Sequence, residues 1–355
     1  MRTVGVEEEF LLVDAHGYPV GVAGAAADDA QVELELMEQM VETGTSPCLD
    51  AGDLAEQLRQ RRHVVARAAA DAGARLVAVA TSPQPVRSSV TATARYQHIL
   101  AEFGLTAREQ LTCGCHVHVE VADADEGVAV LDRIGPWLPT LLALSANSPF
   151  WQGQDSGYAS YRSQVWRRWP TAGPSDPFGS ADAYEAVLEG LIASGAALDS
   201  GMVYFDARLS QRYPTVEVRV ADVCLRSPHA LLLALLARAL VETAARGELA
   251  TGPAAGGRAE LLRAAAWRAA RSGLRGPLVH PLTLRQEPAD AVVAALLEQL
   301  RPVLAEQAEW ELAQVLWTDV LTRGTGAQEQ RGWASGGLSE VLRHAAEATL
   351  ASHGR

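Results

Sequence analysis

Polar and apolar positions alternate with a period of two over residues 3–13. Val4, Val6, Glu8 and Phe10 fall on one side, and Gly5, Glu7, Glu9 and Leu11 on the other. This alternation predicts a β-strand, and the apolar density around the glutamates predicts a buried one. Residues 116–121 repeat the pattern, with His116, His118 and Glu120 opposite Val117, Val119 and Val121. Residues 215–220 set Glu217 and Arg219 against Val216, Val218 and Val220. Residues 203–209 carry Tyr204, Asp206 and Arg208 on one side, and a turn around Tyr213 and Pro214 separates these last two strands. A short apolar run at 76–80 predicts a further buried strand.

Other segments carry helical signals. Asp53 with Glu56 three residues on reads as an N-cap, opening a helix that runs to about Asp71 and stops at Gly73. Further helices are predicted at 95–103, 123–147 with a break near Pro136 and Pro139, 182–194, 229–246, 258–272, 289–320 interrupted at Pro302, and 338–351. Residues 28–43 fit helix and strand equally. Residues 148–180 lack periodicity and predict a long loop, a kind of segment that often carries function. Residues 247–257 read as a linker and 323–337 as a flexible Gly-rich stretch. Strands and helices alternate irregularly, and each strand has one polar face. This predicts an α+β fold with an antiparallel sheet, in one domain over residues 1–355 whose part from about 229 is helical.

Composition narrows the chemistry. At 355 residues and 48% hydrophobic, the chain can bury a large core. A formal net charge of −13 argues against nucleic-acid or anionic-membrane partners. There is no lysine, and all 30 basic residues are arginine. A P-loop lysine and a Schiff-base lysine are therefore excluded, and any polyphosphate must be handled by arginine and metal ions. Cys48, Cys113, Cys115 and Cys224 are too few and too scattered for a secreted disulfide framework. The N-terminus shows an acidic strand pattern rather than a signal segment. A soluble cytoplasmic protein is expected, and surplus apolar helical faces leave room for a homodimer.

The polar strand faces hold the candidate site. On its own, each such face reads as a solvated surface with ion pairs. Four strands patterned alike suggest a sheet whose polar side is a basin of carboxylates, and hard oxygen ligands of that kind suit Mg²⁺. Glu35, Glu38 and Glu42 add to the acidic inventory. Glu35 and Glu42 share a face in a helix but not in a strand. Arg162, Arg167 and Arg168 lie among Tyr158, Tyr161, Trp166 and Trp169, either as packing-loop charge or as forks for a substrate carboxylate. Cys113, Cys115, His116 and His118 are zinc-type ligands, but side chains so close along a strand point to opposite sides and do not close a tetrahedron. A zinc-dependent metallohydrolase or metal-binding protein built on the His116/His118 strand is the competing reading.

Four motifs occur in order: Gly5-Val6-Glu7-Glu8-Glu9-Phe10, Cys113-Gly114-Cys115-His116-Val117-His118-Val119, Val216-Glu217-Val218-Arg219, and Gly324-Thr325-Gly326-Ala327 with Gln330-Arg331. In this combination the chain resembles the carboxylate–amine ligase family, the glutamate–cysteine ligase type 2 group. The resemblance implies a glutamine-synthetase-like catalytic fold, with an antiparallel sheet bent into a funnel and helices packed outside. It implies ATP and Mg²⁺, amino-acid substrates, and amide formation through an acyl phosphate. By motif position, Glu7, Glu9, Glu35, Glu42, His116 and Glu217 are expected as metal ligands. Arg219, Glu217 and His116 are expected in catalysis, and Arg331, Arg219 and His118 at the nucleotide. The last loop departs at Glu329, where the family more often carries a basic residue.

Overall fold

The computed structural model describes residues 1–27, 31–250 and 258–351. The predicted 247–257 linker therefore lies largely outside the described residues. One antiparallel sheet dominates. Its strands are β1 (Val4–Val13), β2 (Glu33–Leu34), β3 (Met40–Gly44), β4 (Arg75–Val77), β5 (Gly114–Glu120), β6 (Ala207–Leu209) and β7 (Thr215–Asp222), in the order β2-β3-β1-β5-β7-β6. β1 is long enough to serve three neighbours, with Glu7–Leu11 paired to β3. Val4–Glu8 pair with β5, and Leu11–Val13 pair with β4.

The period-two pattern decides which face is which. Val4, Val6, Val117, Val119, Val216 and Val218 are buried in one apolar cluster. The helices α1 (Ala51–Asp71), α2 (Ala124–Ile134) and α3 (Ser227–Ala245) pack into the same cluster, so this is the helix-covered side of the sheet. A second cluster lies under the far half of β1. It joins Phe10, Leu12 and Val77 to Leu342, Ala345 and Ala348 of the last helix, α7 (Leu338–Leu350). α3 is long and apolar enough to cross a membrane, as is the stretch Ala124–Ser145, but their apolar windows are 89% and 72% buried inside the protein. Here they are core helices.

Several local expectations are corrected. The cap of α1 is Asp50, not Asp53: its carboxylate accepts from the backbone N–H groups of Gly52 and Asp53 at 2.7 and 3.0 Å. The predicted helix over 289–320 does not break at Pro302, which lies inside α4 (Ala289–Glu306). The break comes at residues 307–309, where Ala308 takes a positive φ of 57° before α5 (Trp310–Arg323) begins. The Gly-rich 323–337 stretch is not a flexible loop. It contains α6 (Gly326–Trp333), closed by a capping box between Thr325 and Gln328. Gly326 is needed there, because a Cβ would collide with the Asn147 side chain. The 148–180 segment is a loop with a short hairpin, Phe150–Trp151 against Gln154–Asp155, and one helical turn at Arg162–Trp166.

Candidate active site

Three central strands carry the polar face. Register sets Glu7 opposite His116, Glu9 opposite Glu42, and His118 opposite Glu217, which in turn faces Arg208. The alternating side chains therefore meet in rows across the sheet. They line one cavity of about 470 Å³ together with Glu35, Tyr96, Trp166, Trp169 and Tyr204.

The carboxylates form two groups. Glu7, His118 and Glu217 each offer a ligand atom within 4.8 Å of the other two, and so do Glu9, Glu35 and Glu42. Glu7 and Glu9 anchor one group each from the same face of β1, two residues or roughly 7 Å apart along the strand. The spacing of Glu35 and Glu42 is explained by neither a helix nor a single strand. They bracket the reversal between β2 and β3, which returns both carboxylates to Glu9.

In the first group, His118 Nδ1 lies 3.0 Å from the Thr215 hydroxyl, and its Nε2 lies 3.3 Å from Glu7 and 3.9 Å from Glu217. An imidazole tethered through one nitrogen turns the other toward a ligand. Burial raises the Glu7 pKa, but the nearby nitrogens of His116 and His118 outweigh it and hold the carboxyl well below its usual range. Glu217 is also held low. Burial opposes this, but the charges of Arg219 and Arg208 prevail. Arg208 reaches Glu217 at 2.7 Å, and Arg219 pairs with the same carboxylate.

The second group is all carboxylate. Burial, then the Glu35 charge, pushes Glu9 up to about 7, and the same two causes raise Glu42 well above its normal value. Buried like charges of this kind either keep protons or share a cation. The oxygen-only group fits Mg²⁺. The group containing His118 accepts Mg²⁺ or a softer divalent ion.

The other expected residues are placed as follows. His116 lies between the groups, its ring nitrogens 3.5 Å from Glu7 and 3.9 Å from Glu9, and belongs to neither three-ligand set. Burial and the Arg219 charge lower its pKa to about 4, which favours the uncharged ring. His118, expected at the nucleotide, belongs to the first three-ligand set. Arg219 is buried, with its guanidinium 5.8 Å from the Trp166 ring centroid. Arg331 does not line the cavity. α6 holds it against Asp155 at 2.9 and 2.6 Å and the Tyr158 carbonyl at 2.9 Å. Among the loop arginines, Arg168 pairs with Glu109, and Arg162 is buried with its guanidinium 5.3 Å from the Trp166 ring centroid. Cys113 and Cys115 are buried thiols in neither ligand set. Sequence reasoning missed Gln110 and Thr112, which also line the cavity. The available signal was that 110, 112, 116 and 118 continue one alternation.

The comparisons agree with this architecture. The family model described as glutamate-cysteine ligase family 2 (GCS2) matches residues 3–338. A Streptomyces avermitilis protein provisionally named glutamate–cysteine ligase 2-1 is 52% identical over 340 residues, covering 93% of this chain and 94% of the relative. Among solved structures, a bifunctional glutathione synthetase from Pasteurella multocida superposes with a TM-score of 0.73 at 17% identity, covering 98% of this chain and 52% of that longer one. The glutamate–cysteine ligase of Francisella tularensis, solved with AMP, gives 0.67 at 12% identity, covering 99% of this chain and 89% of the other. The fold is the glutamine-synthetase-like α+β class, an antiparallel sheet forming a funnel with helices packed outside. The chain belongs to glutamate–cysteine ligase family 2 and is a carboxylate–amine ligase.

Proposed function

We propose that this chain is an ATP- and Mg²⁺-dependent ligase that activates a carboxylate as an acyl phosphate and joins it to an amine. Glutamate is the proposed carboxylate donor, and an amine such as cysteine the acceptor. One observation carries the reading: two ligand groups, Glu7/His118/Glu217 and Glu9/Glu35/Glu42, stand on one sheet face inside one cavity. Phosphoryl transfer needs alignment and charge neutralisation more than covalent help from the protein. Bound Mg²⁺ would supply positive charge to the triphosphate.

The chain's own residues do the rest. Arg219, fixed by Glu217 and flanked by Trp166, presents a permanent charge to the transferred phosphoryl. Neutral His116 faces both ligand groups and contacts metal or phosphate without adding charge. The substrate carboxylate oxygen takes the γ-phosphoryl and ADP leaves. The amine nitrogen then attacks the acyl carbon, loses a proton, and inorganic phosphate departs. We place the reaction in one catalytic unit over residues 1–355, working in the cytoplasm, where the four free cysteines suit a reducing compartment. The test is a screen of carboxylate and amine pairs for amine-dependent ADP release with Mg²⁺-ATP. Absence of ADP from every pair would overturn the reading.

A further inference from the structure

On the far side of the sheet from the active site, the helical cover has a gap. α1 and α5 both pack against α3. Where they flank it, an apolar groove of about 360 Å³ remains. Its floor is Pro228 and Leu231 of α3. One wall is Leu312 and Leu316 of α5, and the other is Ala51, Gly52 and Ala55 of α1. The α1 wall carries only small side chains, which do not reach the leucines opposite. Leu231 and Leu316 belong to the main apolar cluster, so the groove opens that core toward solvent.

Beside the groove stands a side chain that fits it. Val315 lies between Leu312 and Leu316 in the α5 sequence and is 63% exposed. Joined apolar surface of this kind marks a contact face. A hole and a knob on one helix make a self-complementary patch, which is what an isologous two-fold contact requires. Among the described residues, none that lines the groove holds a buried polar atom without a partner, so nothing there orients a small polar ligand.

Charge supports the same arrangement. A two-fold axis beside Val315 sets two α5 helices antiparallel, with position 311 of one alongside position 319 of the other. Glu311 is exposed and has no ion-pair partner among the described residues. Asp319 is already held by His229 at 3.1 Å and by Arg323, one turn further on, at 2.8 Å. The free carboxylate of each copy thus arrives near an arginine of the other. On the facing rim Glu56 and Arg59 pair at 2.5 Å, so no lone charge opposes the approach.

We propose that the groove between α1 and α5 receives Val315 of a second copy of this chain. The two copies form a two-fold dimer through antiparallel α5 helices, closed at both ends by Glu311 and Arg323 of opposite copies. No residue of α1, α3 or α5 lines the active-site cavity, so this face is separate from the catalysis proposed above.

Sedimentation equilibrium of the full chain tests this, with circular dichroism confirming a native fold in each variant. The wild type should have twice the mass of the 37.8 kDa chain. Val315→Glu should raise the dimer dissociation constant at least about thirtyfold, the effect of losing a central apolar contact. Ala55→Phe, which fills the groove from its own side without adding charge, should also dissociate the dimer. Glu311→Arg should weaken it, and adding Arg323→Glu should restore it. A monomeric wild type overturns the proposal and leaves the groove to a partner of other chemistry. A dimer that persists in both Val315→Glu and Ala55→Phe places the interface elsewhere and overturns it too. Failure of the reversed charge pair to restore association overturns the antiparallel arrangement.

Discussion

Glu8 and Arg62 form a buried ion pair on the side of β1 opposite the cavity, with Nη2 2.6 Å from Oε1 and Nε 3.0 Å from Oε2. Both side chains are essentially inaccessible to solvent. Arg62 spends its remaining N–H groups on the carbonyls of Cys224, Leu225 and Thr349. Three consecutive glutamates thus have two fates: Glu7 and Glu9 face the cavity, while Glu8 ties the sheet to α1 and to the last helix. The pair lies where the two apolar clusters meet along β1.

Removing one partner of such a pair leaves the other buried and uncompensated. Arg62→Leu should therefore lower stability by about 3–5 kcal/mol. Urea unfolding followed by circular dichroism checks this. The double variant Arg62→Leu/Glu8→Leu should recover much of the loss, since both charges are then gone. A single variant as stable as wild type would show that the pair contributes nothing net.

The ligand groups make a second prediction. Glu9→Gln and Glu217→Gln keep the shape of the side chain but remove its charge. ADP release should fall by about a thousandfold or more in each, by analogy with the loss of a single transition-state contact. Circular dichroism should stay native. Near-normal turnover in either variant would remove that residue from the site.

Metal affinity should depend on pH in a definite direction. The Glu9 carboxyl is raised in the metal-free fold from an ordinary value near 4.5 to about 7, first by burial and then by Glu35. Below the unfolded value both states hold the proton and nothing changes. Above it the unfolded chain releases the proton and the fold keeps it, so this group erodes stability as pH climbs toward 7. A divalent cation displaces the proton and reverses the loss. The rise in melting temperature caused by Mg²⁺ should therefore grow from about pH 5 to about pH 8, and EDTA should abolish it. A gain that is flat or shrinks over this range contradicts the assignment of Glu9 to a metal.

Much of this was legible in the chain because a strand's faces are set by parity. Glu7, Glu9, His116, His118, Glu217 and Arg219 were sorted correctly onto one face by counting alone. What counting could not supply was register between distant strands, which brings His118 together with Glu7 and Glu217. The Glu8–Arg62 pair was hidden for the same reason, since a strand residue and a helix residue 54 apart share no local pattern. Local chemistry misled in three places. Asp53 resembles a cap, but Asp50 is nearer the extended entry to the helix. Pro302 resembles a break but is tolerated inside α4. The glycines near 324–326 resemble flexibility but open a capped helix packed on Asn147.

Arg331 offers a test of the phosphate role its motif implies. Its guanidinium is held by Asp155 on the surface, about a quarter exposed. Exposed pairs of this kind contribute little. Arg331→Ala should leave KM for ATP within about twofold of wild type and cost less than about 1 kcal/mol of stability. A large rise in KM for ATP would restore the phosphate role expected from its motif.

Arg219 separates charge from geometry. Its guanidinium is planar, pairs with Glu217 and lies over Trp166, and its Nε remains free toward the cavity wall. A lysine at this position keeps the charge but loses the fork and the stacking surface, and its more strongly hydrated ammonium is harder to bury. Arg219→Lys should therefore lose most of kcat, on the order of a hundredfold, while circular dichroism and Mg²⁺ binding stay close to wild type. If charge alone mattered, the lysine variant would retain most of its turnover. Arg219→Gln sharpens the comparison. It keeps hydrogen bonding without charge, so activity lower than that of the lysine variant would assign the difference between them to charge, and the gap from lysine to wild type to the planar fork.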